Sequence, residues 1–432
     1  KIAAIGVSGQ QHGFVPLDRN GQPLAPVKLW CDTATTAECD EIMRAVGGEQ
    51  RCIDIAGNPI AVGYTASKIR WLKHHDSESY KRLATIVLPH DYLNFYLTGR
   101  YCMEFGDASG TGLLDVRRRC WSADMIAALD ADRDLSPCLP ELIDAHMPVG
   151  RIRPALAQAF GIPAAALVSA GGGDNMMAAI GTGNVTSGRL TASLGTSGTL
   201  FAYAQKPVVD GEGELAAFCS STGGWLPLLC TMNCTVATEQ LCQLFELDAA
   251  AIDLQAGSVG PGAGGVITLP FYHGERTPAL PNGKAVIYGL DADNTTRAHM
   301  LRSAMEAAVF GLKRGVRAFE RCGLTFNELT LKGGGINSAL WCQLCADILD
   351  LPISVFQQQE NAALGAALQA LWCYTRESDP AVSIGDITAA HLRVDQCRYY
   401  RPEAEAVSAY ADIYQRYKTL LNAVAPLYDE LK

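Results

Sequence analysis

The chain has no long apolar run. Its longest nearly apolar stretch, Ala362–Tyr374, is interrupted by Gln369. That is too short to span a bilayer, which needs about 20 apolar residues. There is no basic excess either. The net charge is -10 and the pI about 5.3, which excludes a nucleic-acid binder with a basic face. An anion bound here must be met by backbone amides, helix N-termini and a metal ion. No Gly-Lys-Ser/Thr occurs at Walker spacing, so a P-loop nucleotide site is excluded. Secretory signal, low-complexity tract and short-period repeat are absent as well, and the expected compartment is the cytoplasm. Among the 15 cysteines, Cys342 and Cys345 form a CxxC, but no second CxxC or His pair lies at zinc spacing. They sit in a helical apolar stripe and read as small buried hydrophobes.

What is present is a chain of 432 residues, 48% of them hydrophobic. That suffices for two or three cores. Strand-like Ile2–Ser8 leads into a turn at Gly9–Gly13, and Phe14–Leu17 and Val27–Trp30 read as further strands. Thr65–Lys73 reads as a helix. Ala166–Ala170 reads as a strand, followed by a helix from Asp174. Ser193–Tyr203 resembles a hairpin around Gly195–Gly198. Leu301, Met305, Ala308, Leu312, Val316 and Phe319 form a core-facing helical stripe, and so do Ile336, Leu340, Leu344 and Ile348. Ile353–Phe356 reads as a strand and Ala362–Leu371 as a helix. Alternating strands and helices predict an α/β architecture with mostly parallel central strands. The Gly-, Asn- and Thr-rich stretch Gly181–Gly188 marks a boundary between lobes 1–184 and 185–432, each expected to be a mixed sheet with flanking helices.

Four polar or glycine-rich turns stand at strand ends, where open α/β sheets bind ligands. In Ser8–Gly13, Gln11 and His12 can bond several hydroxyls, or simply cap nearby backbone. In Gly171–Asn175, three glycines permit close approach to the backbone. Asp174 then falls at a helix start, either as an ionised base for a hydroxyl proton or as a plain N-cap. In Leu194–Thr199, amides and hydroxyls can cradle phosphates, or form an ordinary hairpin turn. Lys332–Ser338 can face a flat base and its phosphates, or merely connect strand to helix.

Together these segments resemble the FGGY family of carbohydrate kinases. Gly63–Leu72 is similar to one pattern of that family, with His74 a small departure after it, and Ala285–Glu306 fits a second. Leu29-Trp30-Cys31-Asp32, Ser193–Thr199 and His273–Pro278 resemble the branch that phosphorylates D-xylulose, although Gln11 stands where that branch commonly has Met. The resemblance implies an actin-like ATPase (ribonuclease H-like) fold with two lobes and a cleft between them. It implies transfer of phosphate from ATP, with Mg²⁺, to a ketose, giving D-xylulose 5-phosphate. Asp174 is then the catalytic base and a metal contact. Gln11, His12, Asp174 and Asn175 bind the sugar on the N-terminal lobe. Gly195, Thr196, Gly333, Gly334, Gly335, Asn337 and Ser338 bind ATP on the C-terminal lobe. The partners are the ketose and ATP, with no nucleic acid or membrane, and a homodimer is compatible. Other acceptors (ribulose, sedoheptulose, gluconate, glycerol) and a non-catalytic sugar or nucleotide sensor are the alternatives. Family members open with an Asp-x-Gly-Thr hairpin that has no counterpart before Lys1. The expectation is a missing first hairpin, with little activity from these 432 residues alone.

Overall fold

A computed structural model describes residues 2–248, 251–358 and 360–431. It divides into two compact units: Lys1–Ser187, Tyr203–Pro227 and Glu360–Leu392 form the first, and Gly188–Ala202, Leu228–Gln359 and Arg393–Lys432 the second. The boundary expected near residue 185 is thus one of several crossings. The chain returns to the first unit because its apolar helix Asn361–Thr375 is built into that unit's interior.

The second unit is organised by a six-stranded sheet. Its strands run in the order Leu228–Thr231, Gly198–Ala202, Arg189–Leu194, Glu328–Lys332, Ile353–Phe356 and Val394–Tyr400. The middle three are parallel and the flanking pairs antiparallel. Helix Arg297–Arg321 buries the predicted stripe of Leu301, Met305, Ala308, Leu312, Val316 and Phe319. A Cβ at its Gly315 would fall 2.6 Å from Leu200 Cδ1, so this helix lies directly on the sheet. Cys342 and Cys345 are free thiols buried on helix Ala339–Leu349.

In the first unit the described residues form short ladders instead of the one mixed sheet expected. Ala4–Ile5 pairs parallel with Leu167–Ser169, and Ser8–Gly9 pairs parallel with Gly172–Gly173. The strand read at Ile2–Ser8 is therefore two short ones. The break has a steric cause on the partner strand. Gly171 sits at φ +69, and a Cβ there would lie 2.4 Å from the Val7 carbonyl oxygen. Val27–Trp30 forms no strand: it contributes a single bridge, Phe14 to Lys28. Lys28 instead lies 3.7 Å from the centroid of the Trp71 ring and pairs with Asp32 at 2.9 Å.

Two helices of this unit meet backbone to backbone. A Cβ on Gly181, the last residue of helix Asp174–Gly181, would lie 1.9 Å from the Asn361 carbonyl oxygen. One on Gly365 would lie 1.7 Å from that of Met177, and one on Gly6 lies 2.0 Å from that of Ala366. Only hydrogen fits at these points. Among the described residues no helix is long and apolar enough to cross a membrane.

This contact predicts the outcome of Gly365→Ala. Alanine favours an isolated helix by ~1 kcal/mol, but forcing a methyl into a filled contact costs ~2 kcal/mol or more. Denaturant unfolding should show net destabilisation. Unchanged or raised stability would mean that the two helices do not touch at Gly365.

Candidate active site

The parallel pairing of Ser8–Gly9 with Gly172–Gly173 sets two polar turns side by side. Gln11 is 5% exposed, and its Oε1 accepts from Asn175 Nδ2 at 2.9 Å. His12 occupies the left-handed region at φ +63, which costs a residue with a Cβ. Helix Thr65–His75 holds it there. Lys68 Nζ and Thr65 Oγ1 donate to the His12 carbonyl at 2.6 and 3.2 Å. Lys68 is fully buried, and burial holds its pKa down to about 8. The His12 ring stacks on Tyr64 at 4.7 Å. Its Nδ1 lies 2.6 Å from the Gly110 carbonyl. A carbonyl only accepts, so Nδ1 carries a proton.

Asp174 is not the N-cap. Gly173 caps the helix, and Asp174 is its exposed first residue. Asp174 Oδ1 accepts from the Asn175 N–H at 2.8 Å, and the helix dipole favours its ionised form. The structure therefore brings Gln11, His12, Asp174 and Asn175 together on one wall.

Behind that wall lies a buried cluster of ionisable groups to which the sequence reading gave no role. His90 is fully buried between two carboxylates. Nδ1 is 2.7 Å from Asp107 Oδ2, and Nε2 makes an ion-pair contact with Asp91 Oδ1 at 2.9 Å, outside hydrogen-bond alignment. Burial opposes the charged ring, but Asp91 and Asp107 outweigh it and raise the His90 pKa well above its ordinary value. Burial pushes Glu104 up to about 7 and Asp107 up to about 6. Glu104 caps the short helix Phe105–Ala108, accepting from the N–H groups of Gly106 and Asp107 at 2.7 and 2.6 Å. A Cβ on Gly173 would lie 3.0 Å from Asp107 Oδ1 and 2.6 Å from Gln11 Cγ. The cluster thus backs directly onto the residue before Asp174. A detectable signal existed in Pro89-His90-Asp91: charged residues at the start of an otherwise apolar helix.

The second unit places its own two turns together. Gly195 and Thr196 close the hairpin, and their carbonyls accept the N–H groups of Thr235 and Cys234, each at 2.9 Å. Gly333, at φ +91, lies against Leu194, whose carbonyl oxygen would be 2.8 Å from a Cβ there. Gly335 packs on the Leu194 side chain. Gly334 and Asn337 are exposed, and nothing lies within 4 Å of a Cβ on Gly334. Ser338 caps helix Ala339–Leu349. Its Oγ accepts from the Trp341 N–H at 3.0 Å and donates to Asp253 Oδ1 at 2.5 Å.

The profile of the N-terminal domain of the FGGY family of carbohydrate kinases matches residues 1–181, and that of its C-terminal domain residues 190–374. The chain belongs to the FGGY family of carbohydrate kinases. It is 43% identical over 421 residues to a xylulose kinase of Haemophilus influenzae, covering 98% of this chain and 84% of that one. A crystal structure of a xyloylose kinase from Brucella ovis matches with a TM-score of 0.91 at 30% identity, over 98% of this chain and 85% of that one. A gluconate kinase from Lactobacillus acidophilus reaches the same TM-score at 22% identity, over 100% of this chain and 86% of its own, and shows shared fold alone. The architecture is the actin-like ATPase fold of this kinase family.

The buried cluster has a pH signature. Between its ordinary 4.5 and about 7, Glu104 keeps its proton in the folded chain and loses it in the unfolded one. Asp107 does the same between 3.8 and about 6. Stability from both is full below those windows and is lost as pH rises through them. Unfolding free energy should therefore decline from pH ~5 to ~7, and Glu104→Gln should make that decline shallower. An unchanged slope in the variant would show that Glu104 is ionised throughout.

Proposed function

We propose that the chain transfers the γ-phosphate of ATP to the terminal hydroxyl of D-xylulose, giving D-xylulose 5-phosphate. The observation that carries this reading is the exposed carboxylate of Asp174 flanked by Gln11, His12 and Asn175. The similarity to relatives named as xylulose kinases supports the choice of sugar.

In this reading the first unit holds the sugar and the second the nucleotide. Gln11 and Asn175 offer amide donors and acceptors to the sugar hydroxyls, and His12 offers its imidazole. Held in that way, the terminal oxygen attacks the γ-phosphorus while Asp174 accepts its proton, and ADP leaves. The ring of hydroxyl contacts orients the oxygen and supplies the positioning on which phosphoryl transfer chiefly relies.

ATP lies on the glycine turns of the second unit. Backbone at Gly195 and Thr196 meets the phosphates, with Gly333 and Gly335 bringing the adenosine loop against that hairpin. Gly334 and Asn337 leave open space for a flat base. The chain's net charge is -10, so amides carry much of this work.

Among the described residues no group of three or more His, Cys, Asp or Glu could hold a metal ion. That excludes an all-protein cage from these residues but suits Mg²⁺, which keeps its waters and takes one or two carboxylates plus substrate phosphate oxygens. Asp174, exposed at the start of its helix, fits that need. The ion, when bound, neutralises charge on the transferring phosphate. A pure sensor has no use for an open carboxylate beside the sugar-binding amides.

The test is ADP release across D-xylulose, ribulose, sedoheptulose, gluconate and glycerol. The highest kcat/KM is expected with D-xylulose. Asp174→Asn should lower kcat by about 10²–10⁴-fold, the usual general-base contribution, while sugar affinity changes far less. A better acceptor in the panel would overturn the sugar, and near-normal turnover by the variant would overturn the base.

A further inference from the structure

Gln369 is the polar residue that interrupts the longest apolar stretch of the sequence, and it is fully buried on helix Asn361–Thr375. Its side chain reaches the peptide groups of Gly171. Oε1 accepts from the Gly171 N–H at 2.7 Å and from Ser169 Oγ at 3.1 Å. Nε2 donates to the Gly171 carbonyl at 2.9 Å and to that of Ser221 at 3.4 Å. Two acceptor positions and two protons are all that an amide has, so this side chain is fully used.

Gly171 needs such a partner. The ladder of Leu167–Ser169 ends before it and that of Gly172–Gly173 begins after it. Its left-handed φ turns the chain between them, leaving a buried N–H and C=O whose absent partners would be costly. Gln369 takes the place of a strand peptide at this gap. The same helix touches helix Asp174–Gly181 through Gly365. Its geometry therefore fixes both ends of the segment that presents Asp174.

We propose that Gln369 is a positioning residue of the phosphoryl-transfer site: by clipping the Gly171 peptide it sets the direction in which Gly172–Gly173 delivers Asp174 to the acceptor hydroxyl. The proposal rests on the reading of Asp174 as the base. It predicts a defect in turnover rather than in binding, because the side chain touches neither Gln11 nor Asn175 and lies outside the nucleotide-binding turns.

The experiment is a double-mutant cycle with Gln369→Met, which keeps length and loses the amide, and Asp174→Asn. For each protein kcat, KM for D-xylulose, KM for ATP and Tm are measured. Gln369→Met should lower kcat about tenfold or more, since small misplacements of a reacting group cost that much, with both KM values within about threefold. In the Asp174→Asn background the same change should cost less than about twofold, because coupled residues are not additive. Wild-type kcat in Gln369→Met, or an equal loss in both backgrounds, would overturn the proposal. Normal turnover in Asp174→Asn alone is a different result and overturns the base assignment instead. Should Gln369→Met fail to fold, Gln369→Glu, which keeps an acceptor for the Gly171 N–H and loses the amide donor, goes through the same cycle with the same expectations.

Discussion

The first unit depends on one contact, the backbone-to-backbone crossing of helix Asp174–Gly181 with helix Asn361–Thr375. Glycines at 181 and 365 let carbonyl oxygens of one helix lie where the other would carry a Cβ. Such a crossing tolerates no substitution that adds volume, and it transmits position faithfully because packed interiors yield little. A helix late in the chain is thereby made part of the unit that begins it. The strand Ala4–Ile5, the turn at Gly171 and the start of the helix bearing Asp174 are all referred to this one support.

The second organising feature is electrostatic. An ionisable cluster is buried directly behind the wall that carries Gln11 and Asp174, with His90 held between Asp91 and Asp107 and with Glu104 capping a helix turn. Buried charges of this kind rarely add stability over apolar packing, but removing one partner is costly. The cluster packs against Gly173, whose close approach to Asp107 and Gln11 leaves no space for a side chain. Lys68 plays a comparable part on the other turn, where a buried ammonium holds the strained peptide of His12.

Much of this was readable in the sequence where periodicity or glycine chemistry dominates. The stripe from Leu301 to Phe319 could only face a core, and the strands around Gly195–Gly198 and the one before Gly333 follow from turn residues at the ends of short apolar stretches. The long-range choices were not readable. The split of Ile2–Ser8 into two short strands arises from Gly171, far along the chain. Val27–Trp30 looks like a strand, but Lys28 packs on the ring of Trp71, far along the chain, and long-range packing overrides local propensity. The return of 203–227 and 360–392 to the first unit is likewise a tertiary choice, as are the partners of His90 and Gln369. For the site itself, residue types and turn positions were visible; what brings Gln11 beside Asn175 is a two-residue parallel pairing that no local pattern announces.

The central claim is that one rigidly backed wall presents Asp174 to a sugar hydroxyl held by Gln11, His12 and Asn175. A crystal structure of the Asp174→Asn protein with D-xylulose tests it most directly. The account predicts the terminal hydroxyl within hydrogen-bond distance of the residue 174 side chain, and the remaining hydroxyls on Gln11, His12 and Asn175. A sugar bound away from this wall, or one presenting another hydroxyl to residue 174, would contradict it.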